Sequence, residues 1–175
     1  NIWTNVDAAQ ASIQPWAFTD GGKISIYTMG GHLASSRSAK IEKIAIASDG
    51  DSTDVAVLTT GVNHGWGGCS SETHGYSCGG STGDWGSGPF HNRIEKFVFA
   101  SDGDAADIAD MTVTMTNRSG HSMATHGYNC GGQVAGAPTA TNVIDRFPFA
   151  SDTNSSNVGD LLQIRALIGS SSDTD

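Results

Sequence analysis

The chain has 175 residues, 23 of them glycine, with 15% charged and a formal net charge of −9. That length suits one domain with a real core, and a glycine-rich, charge-poor balance suits a turn-rich β protein over a helical bundle. The acidic balance excludes a sequence-independent grip on nucleic acid or anionic lipid, and no apolar run reaches the roughly 18–20 residues that span a bilayer. The sequence starts at Asn1 without a methionine or a secretory signal, which predicts a processed, trimmed or incompletely assigned start.

In chain order, the first clear elements are YTMGG from Tyr27, a loop HLASSRSAK, and IEKIAIASDGDSTDVAVLT from Ile41. The same succession returns as GCSSETHGYSCGG, STGDWGSGPFHNR and IEKFVFASDGDAADIADMT from Ile94. It returns again as RSGHSMATHGYNCGG, QVAGAPTATNV and IDRFPFASDTNSSNVGDLL from Ile144. Internal repetition at this period defines the architecture. The chain reads as a single repeat domain over 1–175, with units roughly at 17–62, 63–115 and 116–165 and a tail at 166–175.

Each unit divides into strands and turns. Ile94 to Phe99 is rich in β-formers with a period of two, so Phe97 and Phe99 share one face. Ser-Asp-Gly-Asp then stops the strand, and DVAVLTT and DIADMTVTM begin another. GCSSET with YSCGG, and GHSMAT with YNCGG, predict hairpins across a tight Thr-His-Gly turn. Four short antiparallel strands per unit follow, and LLQIRALIG is open between a helix and a closing strand. Ile44/Ile46, Phe97/Phe99 and Phe147/Phe149 are expected at equivalent buried positions. Pro148 stands where Ala45 and Val98 stand, so its strand should lie at a sheet edge or leave that position's N–H side unpaired.

The heptad His-Gly-Tyr-x-Cys-Gly-Gly occurs at 74–80 and 126–132, yet the first unit writes YTMGG without His or Cys. A catalytic set would not be dispensable in one copy, so the motif reads as architecture. Tyr76 and Tyr128 are expected to pack between units. Gly79, Gly80, Gly131 and Gly132 mark positive φ or a close backbone approach. Cys69 and Cys78 flank the hairpin turn and a disulfide between them is conceivable, but reduced thiols are the expectation because Cys130 stands opposite His121 without a second cysteine.

Candidate sites are few. Asp49, Asp51 and Asp54, and again Asp102, Asp104 and Asp107, form D-G-D-x-x-D turns whose carboxylates suit a hard cation such as Ca²⁺. The third copy softens to Asp152, Asn154 and Asn157, and Asp and Asn are also the best turn formers, so a solvated turn without cofactor is preferred and chelators should change little. The acid–base pairs Glu42/Lys43, Glu95/Lys96 and Asp145/Arg146 recur once per unit, which suits inter-unit salt bridges or a solvated rim. Glycosidase carboxylates would sit once at a cleft. No H-E-x-x-H, G-x-S-x-G or G-x-G-x-x-G pattern carries chemistry. Trp85, Phe90 and His91, in the longest variable loop, are the candidate receptor-binding residues, open between a sugar-stacking or protein-docking surface and a small satellite core.

RSGHSMATHGYNCGG followed by NRIEKFVFASDGDAADIADMT-like segments resembles a Kelch-type β-propeller blade over roughly 17–165, although aliphatics such as Val55, Ile108 and Val158 replace the Kelch tryptophan. The alternative is a pseudo-threefold β-prism or trefoil-like body. HGYNCGG with IDRFPFASDTNSSNVGDL also resembles repeat proteins from the tail and fibre genes of tailed bacteriophages, marine and cyanobacterial ones among them. The resemblance implies a non-enzymatic virion protein, a tail or fibre component for assembly or host-receptor (glycan) attachment. Its partners would be other virion proteins, copies of itself or a cell-surface glycan. A bacterial extracellular lectin or adhesin is the alternative, and a propeller enzyme of oxidase type comes third because the copper-ligand histidines are missing as a set. Closed propellers have about four to eight blades, so three units should leave apolar flanks exposed and the isolated chain should not be a stable monomer.

Overall fold

The computed structural model describes residues 19–20, 23–33, 36–48, 50–62, 67–83, 88–134, 139–169 and 171. It is an all-β protein with three four-stranded antiparallel sheets, each a meander with its strands in sequence order. The first holds β1 (Thr19–Asp20), β2 (Lys23–Met29), β3 (Lys40–Ala45) and β4 (Thr53–Val57). The second holds β5 (Cys69–Ser70), β6 (His74–Ser81), β7 (Phe90–Val98) and β8 (Ala106–Asp110). Between the second and third lies a strand pair, β9 (Met115–Thr116) with β12 (Gln133–Val134). The third sheet takes β10 (Ser119–Ser122), β11 (His126–Cys130), β13 (Thr141–Pro148) and β14 (Ser156–Arg165). LLQIR therefore closes a sheet as a strand.

The repeated Ile-acid-base-Φ segment has a direct physical meaning. Alternate residues of a strand face opposite sides of the sheet, and in the middle unit both sides are covered by neighbours. Ile41 and Lys43 face the following unit, as do Ile94 and Lys96. Glu95, Phe97, Asp145 and Phe147 face the preceding one. A register irregularity recurs at the Ile-acid step in all three units, at Ile41/Glu42, Ile94/Glu95 and Ile144/Asp145. Such bulges bend a strand and re-aim its side chains.

Two clusters form the core, and each straddles two units. Tyr27, Ile41, Ala56, Leu58 and Val62 of unit 1 pack on Phe97 and Phe99 of unit 2. Tyr76, Ile94, Ala109 and Met111 of unit 2 pack on Phe147 and Phe149 of unit 3. A glycine precedes each tyrosine of the last two units because the phenylalanine ring opposite needs its space. A Cβ at Gly75 or Gly127 would overlap Phe97 or Phe147. Gly79 and Gly80 have φ of 70° and 106°, and Gly131 and Gly132 have 61° and 115°, the left-handed region that side chains avoid.

Ile44 and Ile46 differ from expectation. Ile44 is only half-buried, and Ile46 lies in a 3-10 turn, Ile46–Ser48, and is 45% exposed. They occupy the places of Phe97/Phe99 and Phe147/Phe149, but among the described residues no preceding unit covers that face. Pro148 is the last residue of β13, which is an inner strand rather than an edge. Phe149 N–H donates to Thr125 O (2.9 Å), so the Pro148–His126 pair is of the non-hydrogen-bonded kind. The Pro148 nitrogen thus points to the β14 side, where the ladder begins two residues back at Arg146–Ser156.

Candidate functional site

The units meet through two seams built alike. At the first, the Tyr27 ring stacks on Phe99 with centroids 4.9 Å apart, and tilts against Phe97 at 5.3 Å. At the second, Tyr76 stacks on Phe149 at 5.0 Å and tilts against Phe147 at 5.3 Å. The cations join in the same way. Lys43 Nζ lies 3.1 Å from Asp102 and Lys96 Nζ 2.5 Å from Asp152. Lys43 also stands over the Tyr27 ring, 5.5 Å from its centroid.

The Asp-rich turn belongs to these seams. Val57 N–H donates to Asp104 Oδ1 (3.0 Å) while Ala105 N–H donates back to Val57 O (2.9 Å). One unit on, Asp110 N–H donates to Asn154 Oδ1 (3.0 Å) and Ser155 N–H to Asp110 O (2.8 Å). Each turn therefore covers the edge strand of the unit before it, which satisfies backbone groups that a bare edge leaves open. Asp102 and Asp104 thus also hold the neighbouring unit, Asp104 while remaining exposed to solvent. Asp54 pairs with Lys40 at 2.7 Å, Asp107 lies in β8 opposite Glu95, Asp51 is exposed, and Asp49 falls outside the described residues. No group of three or more potential metal-ligating side chains converges among the described residues.

The acids of the repeated pair are inward. Glu95 and Asp145 are buried. Glu95 accepts from both the N–H and the hydroxyl of Thr59. Asp145 accepts from Thr112 N–H (3.0 Å) and Thr112 Oγ1 (2.6 Å). A buried carboxylate needs such donors.

Between the first two sheets the described residues leave a cleft of about 330 Å³. Tyr27, Phe97 and Phe99 give it an aromatic floor, and Ser25, Ser70 and Glu72 supply polar groups. The Ser25 hydroxyl is buried with no protein partner. Burial first, then the Asp102 charge, raises the Tyr27 phenol above its ordinary pKa, so it stays a donor, with its hydroxyl 3.2 Å from Asp102 Oδ1. Sequence reasoning missed this cleft because its walls come from units far apart in the chain.

The second seam is closed at the same place. β10 lies on β5, with Ser70 N–H donating to Ser122 Oγ (2.8 Å) and Cys69 Sγ 3.5 Å from Tyr128 O. Arg118 is fully buried there, its guanidinium donating to Met111 Sδ while Nε and Nη2 have no protein partner. Burial pulls its pKa down to about 10. All three cysteines are free thiols. The hairpin register pairs Cys69 with Tyr76, not with Cys78, and Cys130 with Ser119, not with His121. The hydrogen bond to Cys78, with burial, pushes the Cys69 thiol well above its usual range.

Of the expected receptor-binding residues, Phe90 is buried at the start of β7 and Trp85 lies outside the described residues. His91 is half-buried, with a ring nitrogen 3.3 Å from Thr82 Oγ1. Burial, and then Arg93, lower its pKa. The structure does not gather Phe90 and His91 into an exposed surface. A scan against protein-family models matches none, and no curated protein matches the chain.

Proposed function

We propose that the chain is a non-enzymatic virion protein of a tailed bacteriophage, a tail or fibre component of propeller-like blades that attaches to a cell-surface glycan. The phage setting rests on the motif HGYNCGG with IDRFPFASDTNSSNVGDL. The attachment role rests on one observation, the cleft beside Tyr27. A pocket near 300 Å³ suits one or two sugar rings. Aromatic faces accept the C–H side of a sugar, while hydroxyls and a carboxylate take its O–H groups. Ser25 offers an unpaired hydroxyl and Glu72, exposed at the rim, offers the carboxylate.

A glycan array with the purified chain tests the reading. The expected result is binding to a restricted set of glycans, weakened about tenfold or more by Glu72→Ala, a loss of about 1.4 kcal/mol. Glu72 is exposed, so that variant should melt as the parent does. An array with no bound glycan, or binding indifferent to Glu72→Ala, refutes the cleft as the receptor site.

A further inference from the structure

Among the described residues, the two outer faces are the two halves of one seam. Toward the next unit, unit 3 presents Tyr128, Ile144 and Leu161 where unit 2 presents Tyr76, Ile94 and Met111. The unit 2 residues are 0–2% exposed under unit 3, whereas all three unit 3 residues are only half-buried. Away from that face, unit 1 presents Ile44 and Ile46 where unit 2 presents Phe97 and Phe99, which are buried under unit 1. The polar parts correspond as well. Arg146 holds the place of Lys43 and Lys96, and Asp51 and Ser52 hold those of Asp104 and Ala105.

We propose that the open face of unit 3 receives unit 1 of a second copy of this chain, and that two copies close head to tail into a ring of six units. Each internal seam joins a tyrosine face to an apolar pair followed by Ala-Ser-Asp, and Ile44-Ala-Ile46-Ala-Ser48 is that partner. A second copy brings it together with its own free tyrosine face, so two chains satisfy both ends of each. Closure within one chain would place Ile46 against Tyr128, and the exposure of Ile46 excludes that. Head-to-tail surfaces close into rings or run on as filaments, and six units fall within the four to eight blades of closed propellers. Leu162 stands where Thr59 and Thr112 donate to Glu95 and Asp145. The new seam lacks that hydroxyl and is the weaker one. The inference is independent of the glycan reading.

The test is mass photometry and sedimentation of the full chain, with complementation. The parent should give one species of twice 18.1 kDa. Tyr128→Asp and Ile46→Asp should each run as single chains with unchanged circular dichroism. Mixed in equal amounts they should recover a two-chain species, because the intact end of each fits the intact end of the other. If Tyr128→Asp fails to fold, Leu161→Lys at the same face replaces it. A parent of 18.1 kDa overturns the proposal, whether the faces stay open or the first 18 residues cover one. A ladder of higher masses overturns ring closure. Two-chain species in either single variant, or no recovery on mixing two folded variants, overturns the head-to-tail arrangement.

Discussion

The seams between units 1 and 2 and between units 2 and 3 agree closely in their aromatic stacks and cross-unit ion pairs, then part at their β5 and β10 ends. Where β10 lies against β5, the second seam is packed solid around Arg118, Gly68 and Gly120. The first seam holds the cleft over Tyr27 instead. The repeated residues thus set how one unit stacks on the next. Residues that differ between units set how closely the described parts of each junction pack.

Truncating the equivalent phenylalanines should expose that difference most strongly. Phe147→Ala removes a fully buried ring from the closed seam and should cost about 3–5 kcal/mol, the range for phenylalanine in a core. Phe97→Ala should fall at or below the low end, because the cleft beside it lets water or side chains enter the space. Urea denaturation of the two variants measures both costs. Equal losses would mean that the cleft gives Phe97 no relief.

A smaller effect comes from adding a single methyl group. Gly68 and Gly120 are equivalent in their units, each just before the residue paired with a tyrosine. A Cβ at Gly120 would overlap the Gly68 carbonyl, a backbone atom that cannot swing aside, whereas a Cβ at Gly68 would meet only Met29 Cε, at an ordinary contact distance of 3.5 Å. Gly120→Ala should therefore cost about 1–3 kcal/mol through overpacking, and Gly68→Ala less than about 0.5 kcal/mol. Thermal melts of both variants suffice. Comparable costs would show that the two seams are equally tight there.

Much of this was legible in the sequence. Tyr-x-x-Gly-Gly and Ile-acid-base-Φ locate the second and third strands of each unit, and alternation puts Phe97 and Phe147 on one face with Ile94 and Ile144 on the other. The partner of a face was not legible, since it depends on which unit lies next to it. Asp102 and Asp104 read as turn formers because their acceptors serve backbone and side chains 47 and 59 residues away. The hairpin register was misread by two residues at Cys69 and Cys130, a slip that preserves the face and so leaves the burial pattern unchanged. Phe90 gave no sign of turning inward, because an aromatic in a glycine-rich loop fits a surface or a core equally well.

The smallest expected effect is a pH dependence confined to one seam. His74 stands beside the Lys96–Asp152 pair of the second seam, while the equivalent residue near Lys43–Asp102 is Ser25. Burial, and then the Lys96 charge, lower the His74 pKa below 6.5. His91 is lowered in the same direction. A histidine whose folded pKa lies below its unfolded value binds its proton more weakly when folded, so the unfolded chain gains protons first as pH falls through 6.5. Stability should therefore drop modestly between pH 7.5 and 5.5. Asp107, raised chiefly by burial, acts in the opposite sense from the acid side. His74→Ser, which copies unit 1, should flatten part of the fall in melting temperature without lowering the value at pH 7.5. An unchanged slope in that variant would remove His74 as a source of the dependence and leave His91 to carry it.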